Sequence, residues 1–213
     1  MGASFDILTK PWVPVLDAAG QKTELGLLET LERAHELQAI QTASPMEEYS
    51  VYRFLIVFLM DALRPEDGEE DIGGLLEAEQ FDMEAIQDYL TQCRKEGVSF
   101  DLFDAERPFL QTTYVEAWDR EAKPVSTLDY TIPNGNNHIH FDHRRNEISY
   151  TPGKALRMLL TAQNFCTAGA QGYPSNVNGA PPWFALIQGK TLFQTLVLGM
   201  IGTDEILLPF DEP

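Results

Sequence analysis

The chain has 213 residues, 44% of them hydrophobic, and 33 acidic side chains against 15 Lys and Arg, for a formal net charge of −18. That apolar share supports a real core in one domain, residues 1–213, while the charge opposes indiscriminate duplex binding, because Lys and Arg neutralising phosphate supply most such affinity. Cys93 and Cys166 are isolated and the longest apolar run, Phe54–Met60, falls far short of the roughly 20 residues a bilayer span needs, so a reduced, cytoplasmic chain with no membrane partner is expected.

In chain order, Phe5-Asp6-Ile7-Leu8 alternates like a short strand. Lys10–Val15 places two prolines around Trp12 and Val13, which predicts an edge strand or extended arm, since proline lacks the ladder donor. Asp17–Gly20 is a turn, Gln21–Leu25 its hairpin partner, and Leu27 to His35 recurs at helical spacing with His35 partly buried. Leu37–Thr42 is a weak strand. Ser44-Pro45-Met46-Glu47 is the best helix start, with Ser44 as cap, Pro45 at the first helical position and Glu47 completing a capping box. The helix it opens runs to Leu63, apolar on nearly every face, and is expected to be packed all round at the centre of the core.

Asp67–Gly74 reads as a mobile acidic loop. Asp82 caps a further helix, with Phe81 and Ile86 as a hydrophobic staple and Gly97 at its end. Arg107–Thr112 looks extended, and Asp119–Pro152 is a long irregular stretch. Lys154–Phe165 returns to helix, Trp183–Ile187 reads as a strand, and Leu192–Met200 as a short helix.

Two loops carry the candidate site. Asn134, Asn136, Asn137, His138, His140, Phe141, His143, Arg144 and Arg145 fall in one stretch that holds three of the four histidines. Gly169, Gln171, Gly172, Asn176 and Asn178 fall in a second, rich in glycine and asparagine. Neither a P-loop nor a G-x-G-x-x-G order is present, so no nucleotide cofactor has motif support. The string His138-x-His140-x-Asp142-His143 has the form of a metallo-β-lactamase ligand set, which makes a zinc metallohydrolase one reading. Against it, no histidine occurs in the 70 residues after His143, and a dinuclear hydrolase needs distant ligands. A contact loop and a polar surface loop without a task are the other readings. Under the contact reading Phe141 or an imidazole stacks on an unpaired base and Arg144 and Arg145 fork phosphates.

Charge is unevenly spread. Residues 61–121 hold 18 acidic and 5 basic side chains, whereas residues 122–200 hold 3 acidic and 6 basic, so the loops sit in the half that tolerates phosphate. No nucleophile elbow or Cys–His arrangement is present, and the acidic cluster at 67–71 reads as a solvated charge run rather than acid–base machinery. The expectation is a non-catalytic chain with no cofactor and no bound metal.

Phe5-Asp6-Ile7-Leu8-x-x-Pro11-Trp12-Val13-Pro14-Val15 and Arg107-Pro108-Phe109-Leu110-Gln111-Thr112 resemble strings of the CasA family, the large subunit of the type I-E CRISPR Cascade complex. The order of an Asn-rich loop, a helix, a Gly-rich loop and an apolar strand and helix is also similar. The resemblance implies a mixed α/β, α+β-like N-terminal domain with irregular small sheets packed against helices. The family's C-terminal four-helix bundle is absent from the 213 residues. It further implies work in RNA-guided surveillance: reading the protospacer-adjacent motif in double-stranded target DNA, docking a nuclease-helicase, and joining the other Cascade subunits. The stretch Asn134–Arg145 would approach the guide RNA's 5′ handle, and Gly169–Gly172 the DNA backbone at the motif. A protein-interaction subunit without direct nucleic-acid contact remains the alternative.

Overall fold

A computed structural model describes residues 3–112, 124–132, 148–165 and 184–203. Its sheet has three antiparallel strands, β1 (Val13–Asp17), β2 (Lys22–Leu25) and β3 (Leu37–Ile40), in the order β2-β1-β3. The hairpin forms as read: Gly20 takes φ +79, open to glycine without strain, and Asp17 Oδ1 accepts from the Ala19 and Gln21 amides, both at 2.8 Å. β1 is the central strand, not an edge. Pairing with β3 begins only at Val15↔Ile40, so Pro14 sits before the β3 ladder and needs no donor there, while its carbonyl accepts from Gln41 N at 3.0 Å.

Phe5–Leu8 is not a strand either. Asp6 forms a lone bridge to Asp101 and Ile7–Thr9 turns at once. That turn has a use: the Ile7 and Leu8 carbonyls accept from the Leu27 and Leu28 amides and so cap α1 (Leu27–Glu32), which has no side-chain cap. The join is tight, because a Cβ on Gly26 would lie 2.8 Å from the Thr9 carbonyl carbon and oxygen. With φ at −72 the conformation suits any residue, so the glycine is there for space. Gly26→Ala is expected to destabilise by about 1–3 kcal/mol through this overlap, read by urea unfolding. An unchanged midpoint would show that the turn gives way freely. His35 lies beyond α1 in a turn, exposed, rather than partly buried in the helix.

Helix α2 (Pro45–Leu63) begins on Ser44, whose Oγ accepts from Met46 N at 3.3 Å, and ends at Arg64 in the left-handed region. It is the central helix, but not wrapped on every side: Val51, Tyr52, Leu55, Ile56, Phe58 and Leu59 are buried, whereas Val57 is 55% exposed. The capping box fails because Glu47 turns inward to other partners, and Glu48 instead accepts from the Thr42 amide at 3.3 Å.

The acidic segment read as a loop is in good part helix α3 (Glu70–Ala78). Carboxylates replace a conventional cap there: Asp67 Oδ1 accepts from the Glu69 and Glu70 amides, and Asp71 Oδ2 from those of Glu66 and Asp67. Helix α4 (Met83–Lys95) matches the reading, with Asp82 Oδ1 accepting from Glu84 N and Ala85 N, Phe81 and Ile86 buried, and Gly97 at φ +81. Arg107–Thr112 is a turn, not extended, with Leu110 at φ 55.

A short 3-10 helix, Val125–Leu128, precedes α5 (Pro152–Phe165), which starts two residues earlier than the apolar spacing predicts. Phe184–Ile187 is not a strand, and α6 (Leu192–Leu198) closes the described core. Among the described residues no helix is long and apolar enough to cross a membrane.

The two strings that carry the family resemblance meet in this core. Trp12 is fully buried, donates Nε1 to the Ile7 carbonyl at 2.8 Å, and meets Phe54 of α2 edge-on at 5.7 Å. Phe109 meets the same Phe54 ring at 5.8 Å. Both strings therefore serve packing, which is why their residue types are so particular.

Candidate nucleic-acid interface

All fourteen candidate residues, Asn134 to Arg145 in one stretch and Gly169 to Asn178 in the other, lie outside the described residues. So does the His138–His143 string. The described structure instead gives the framework from which both stretches leave. The first departs after Ile132 and re-enters at Ile148, just before α5, and the second departs after Phe165, the last residue of α5, and re-enters at Phe184. One helix of 14 residues thus separates the two candidate stretches, a span of roughly 20 Å at 1.5 Å per residue.

Helix α5 is fixed to α2 and the sheet by a buried ionic cluster. The Glu47 side chain is 3% exposed and takes three donors: Arg157 Nε at 2.7 Å on Oε1, and Lys154 Nζ at 2.5 Å and Tyr130 Oη at 2.9 Å on Oε2. Arg157 Nη1 reaches the Trp12 carbonyl at 2.7 Å and Glu24 Oε1 on β2 at 2.8 Å. Burial alone would raise the Glu47 pKa. The hydrogen bonds from Lys154 and Arg157 outweigh it and hold the carboxyl below its ordinary value. The Lys154 ammonium also lies 5.7 Å from the Tyr130 ring centroid.

Each stretch has its two ends tied together. For the first, Tyr150 Oη donates to Asp129 Oδ2 at 2.9 Å, and Asp129 Oδ1 accepts from the Thr131 amide and hydroxyl. Burial and the bonded carboxylate push the Tyr150 phenol up to about 12, so it stays a neutral donor. For the second, the Phe165 and Phe184 rings meet edge-on at 5.2 Å, Phe184 stacks on Tyr49 at 4.2 Å, and the Arg53 guanidinium carbon lies 5.9 Å from the Phe184 ring centroid. Pro45, Met46, Tyr52 and Leu186 complete an open groove beside these rings.

The cluster also revises the charge reading. Lys154 and Arg157, two of the six cations of residues 122–200, are engaged by Glu47 and Glu24 and are not offered to phosphate. Sequence reasoning missed the cluster. Its only signals were an acid in the first turn of a helix destined for the core and an arginine amid Leu156, Met158 and Leu160. Among the described residues no group of three His, Cys, Asp or Glu is placed to hold a metal ion.

A small three-stranded sheet packed with helices, with α5 held to α2 through a buried carboxylate, defines a mixed α/β class. Residues 6–213 match the family described as CRISPR-associated protein Cse1, and the chain belongs to that family. The CRISPR-associated protein CasA/Cse1 of Thermus thermophilus is 34% identical over 204 residues, covering 92% of this chain and 39% of its own length. The crystal structure of Thermobifida fusca Cse1 superposes with a TM-score of 0.77 at 26% identity, over 99% of this chain and 42% of that one. Thermus thermophilus CasA gives 0.74 at 29% identity, over 99% and 41%. The chain thus spans well under half the length of these relatives, and the mixed α/β fold agrees with theirs.

Proposed function

We propose that the chain is the N-terminal region of a Cse1-type large subunit of a type I-E Cascade complex, acting by binding and positioning rather than catalysis. The observation that carries this reading is the match of residues 6–213 to the family together with a fold shared with Cse1 structures at TM-scores up to 0.77. A CRISPR RNA-guided surveillance complex supplies a further fold likeness at TM-score 0.73. In this reading the stretch Asn134–Arg145 meets the guide RNA 5′ handle, with Arg144 and Arg145 on phosphate and Phe141 or a histidine ring on a base. The stretch Gly169–Asn178 meets target DNA at the adjacent motif, where glycine permits close backbone approach and Gln171, Asn176 and Asn178 offer both donors and acceptors. The acidic helix α3 faces protein partners, the nuclease-helicase among them.

The test is assembly of the chain with the other complex subunits and guide RNA across a salt series. Arg144→Ala with Arg145→Ala is expected to weaken assembly and to flatten its dependence on log salt by a slope of roughly 1–2, since two phosphate contacts are removed. Equal affinity and an equal slope would favour a protein-interaction subunit that does not touch nucleic acid.

A further inference from the structure

One side of helix α2 carries an apolar trough. The groove beside Tyr49 and Phe184 runs on into a cavity of about 530 Å³ along Val57 and Met60, and that cavity into a third that ends at Pro65 and Glu66. Tyr49 and Phe184 line the first two and Val57, Met60 and Ile201 the last two, so the three are continuous. They follow α2 from Pro45 to the turn after Leu63, a span of roughly 28 Å at 1.5 Å per residue. Val57 is 55% exposed here, Ile187 60% and Ile201 44%. Scattered exposed apolar residues are ordinary, but three converging on one trough mark an interaction surface.

Its far end is acidic. Asp61 and Glu66 line it, and five of the six residues 66–71 are exposed acids. The Thr203 amide donates to the Pro65 carbonyl at 2.9 Å, which fixes the start of this acidic segment beside Ile201. The two arginines of the trough are engaged locally: Arg64 Nε donates to the Asp61 carbonyl at 3.3 Å, and the Arg53 guanidinium lies over the Phe184 ring. We propose that this trough receives an amphipathic helix of a partner protein, its apolar face on Val57, Ile187 and Ile201 and its Lys or Arg side chains on the carboxylates of residues 61–71. Charge selects this occupant. A second copy brings the same net −18, and nucleic acid or an anionic membrane brings phosphate to an acidic rim. A helix laid in a groove matches both the length and the apolar floor. The inference deepens the protein-facing role proposed for α3 and stands apart from the RNA and DNA contacts.

The test uses the full chain and a fluorescent, helix-forming peptide of about 18 residues, the length of the trough, with leucines at i, i+3, i+4 and i+7 spacing and lysines elsewhere. It is expected to bind about tenfold more tightly than a scrambled peptide of equal composition or one with glutamates for lysines. Val57→Ser with Ile187→Ser is expected to weaken binding about tenfold with melting unchanged, since both side chains are largely exposed in the free chain. Glu66→Gln, Glu69→Gln and Glu70→Gln together should weaken it about threefold at physiological salt and not at 1 M, where screening reaches roughly 3 Å. Asp67 and Asp71 are left intact because their carboxylates hold the amides at the start of α3. Equal binding of the scrambled peptide, or of the serine pair, would show attraction by charge alone and overturn the proposal. So would equal binding of the glutamate peptide, or dimerisation of the chain that the serine pair abolishes. The peptide is bound by the chain alone, so failure here leaves guide-RNA assembly to its own salt series.

Discussion

Glu47→Ala is expected to destabilise the chain by about 3–5 kcal/mol, because it strands Arg157 among buried neighbours with only the Trp12 carbonyl and the half-exposed Glu24 to meet it. Removing Glu24, 45% exposed, should cost no more than about 1 kcal/mol, since solvent replaces it. The contrast has a pH signature. The folded Glu47 carboxyl is held below its unfolded value of about 4.3. Its contribution is therefore complete above that pH and is lost as pH falls through the depressed folded pKa. Urea unfolding of wild type and Glu47→Gln from pH 7 to pH 3 should show a constant gap near neutrality that narrows below about pH 4. A gap that widens in acid would mean that burial, not pairing, dominates this carboxyl.

Trp12→Ala is expected to cost about 3–5 kcal/mol through the cavity it leaves. The ring is fully buried against Phe54, its backbone carbonyl takes Arg157, and its Nε1–H satisfies the Ile7 carbonyl, so one substitution loosens the join between β1, α2 and the Ile7–Thr9 turn. Trp12→Phe should retain part of the packing and lose the hydrogen bond. Equal stability of the alanine and phenylalanine variants in urea would contradict the packing assignment.

Local signals with a short-range cause were legible in the sequence. Ser44 and Asp82 as caps, the Asp17–Gly20 turn, the Phe81–Ile86 staple and the α2, α4, α5 and α6 helices depend on residues within a few positions of each other. The failures came where distant partners decide. Pro14 occupies a central strand because pairing with β3 begins one residue further along β1, at Val15 opposite Ile40, and Glu47 leaves its capping box because Arg157 and Lys154 arrive from more than a hundred residues away. The acidic segment became α3 because Asp67 turns its carboxylate onto the Glu69 and Glu70 amides at the helix start while Asp71 reaches back to those of Glu66 and Asp67, an arrangement that charge counting alone reads as a solvated run. Of the candidate site, the sequence supplied the residues and the structure the anchoring of their ends. The cations at Lys154 and Arg157 show the hazard of summing charge by segment, since both are paired with the buried Glu47 carboxylate.

In the proposed function this Cse1-family chain works within an RNA-guided complex. The decisive experiment co-expresses it with the other subunits encoded beside it, purifies through a tag on the chain, and sequences the co-purifying RNA. The expected result is a stoichiometric complex carrying short RNAs with a common repeat-derived 5′ end, depleted when Arg144 and Arg145 are replaced by alanine. A chain that elutes apart from the other subunits, or a stable complex free of such RNA, would contradict it.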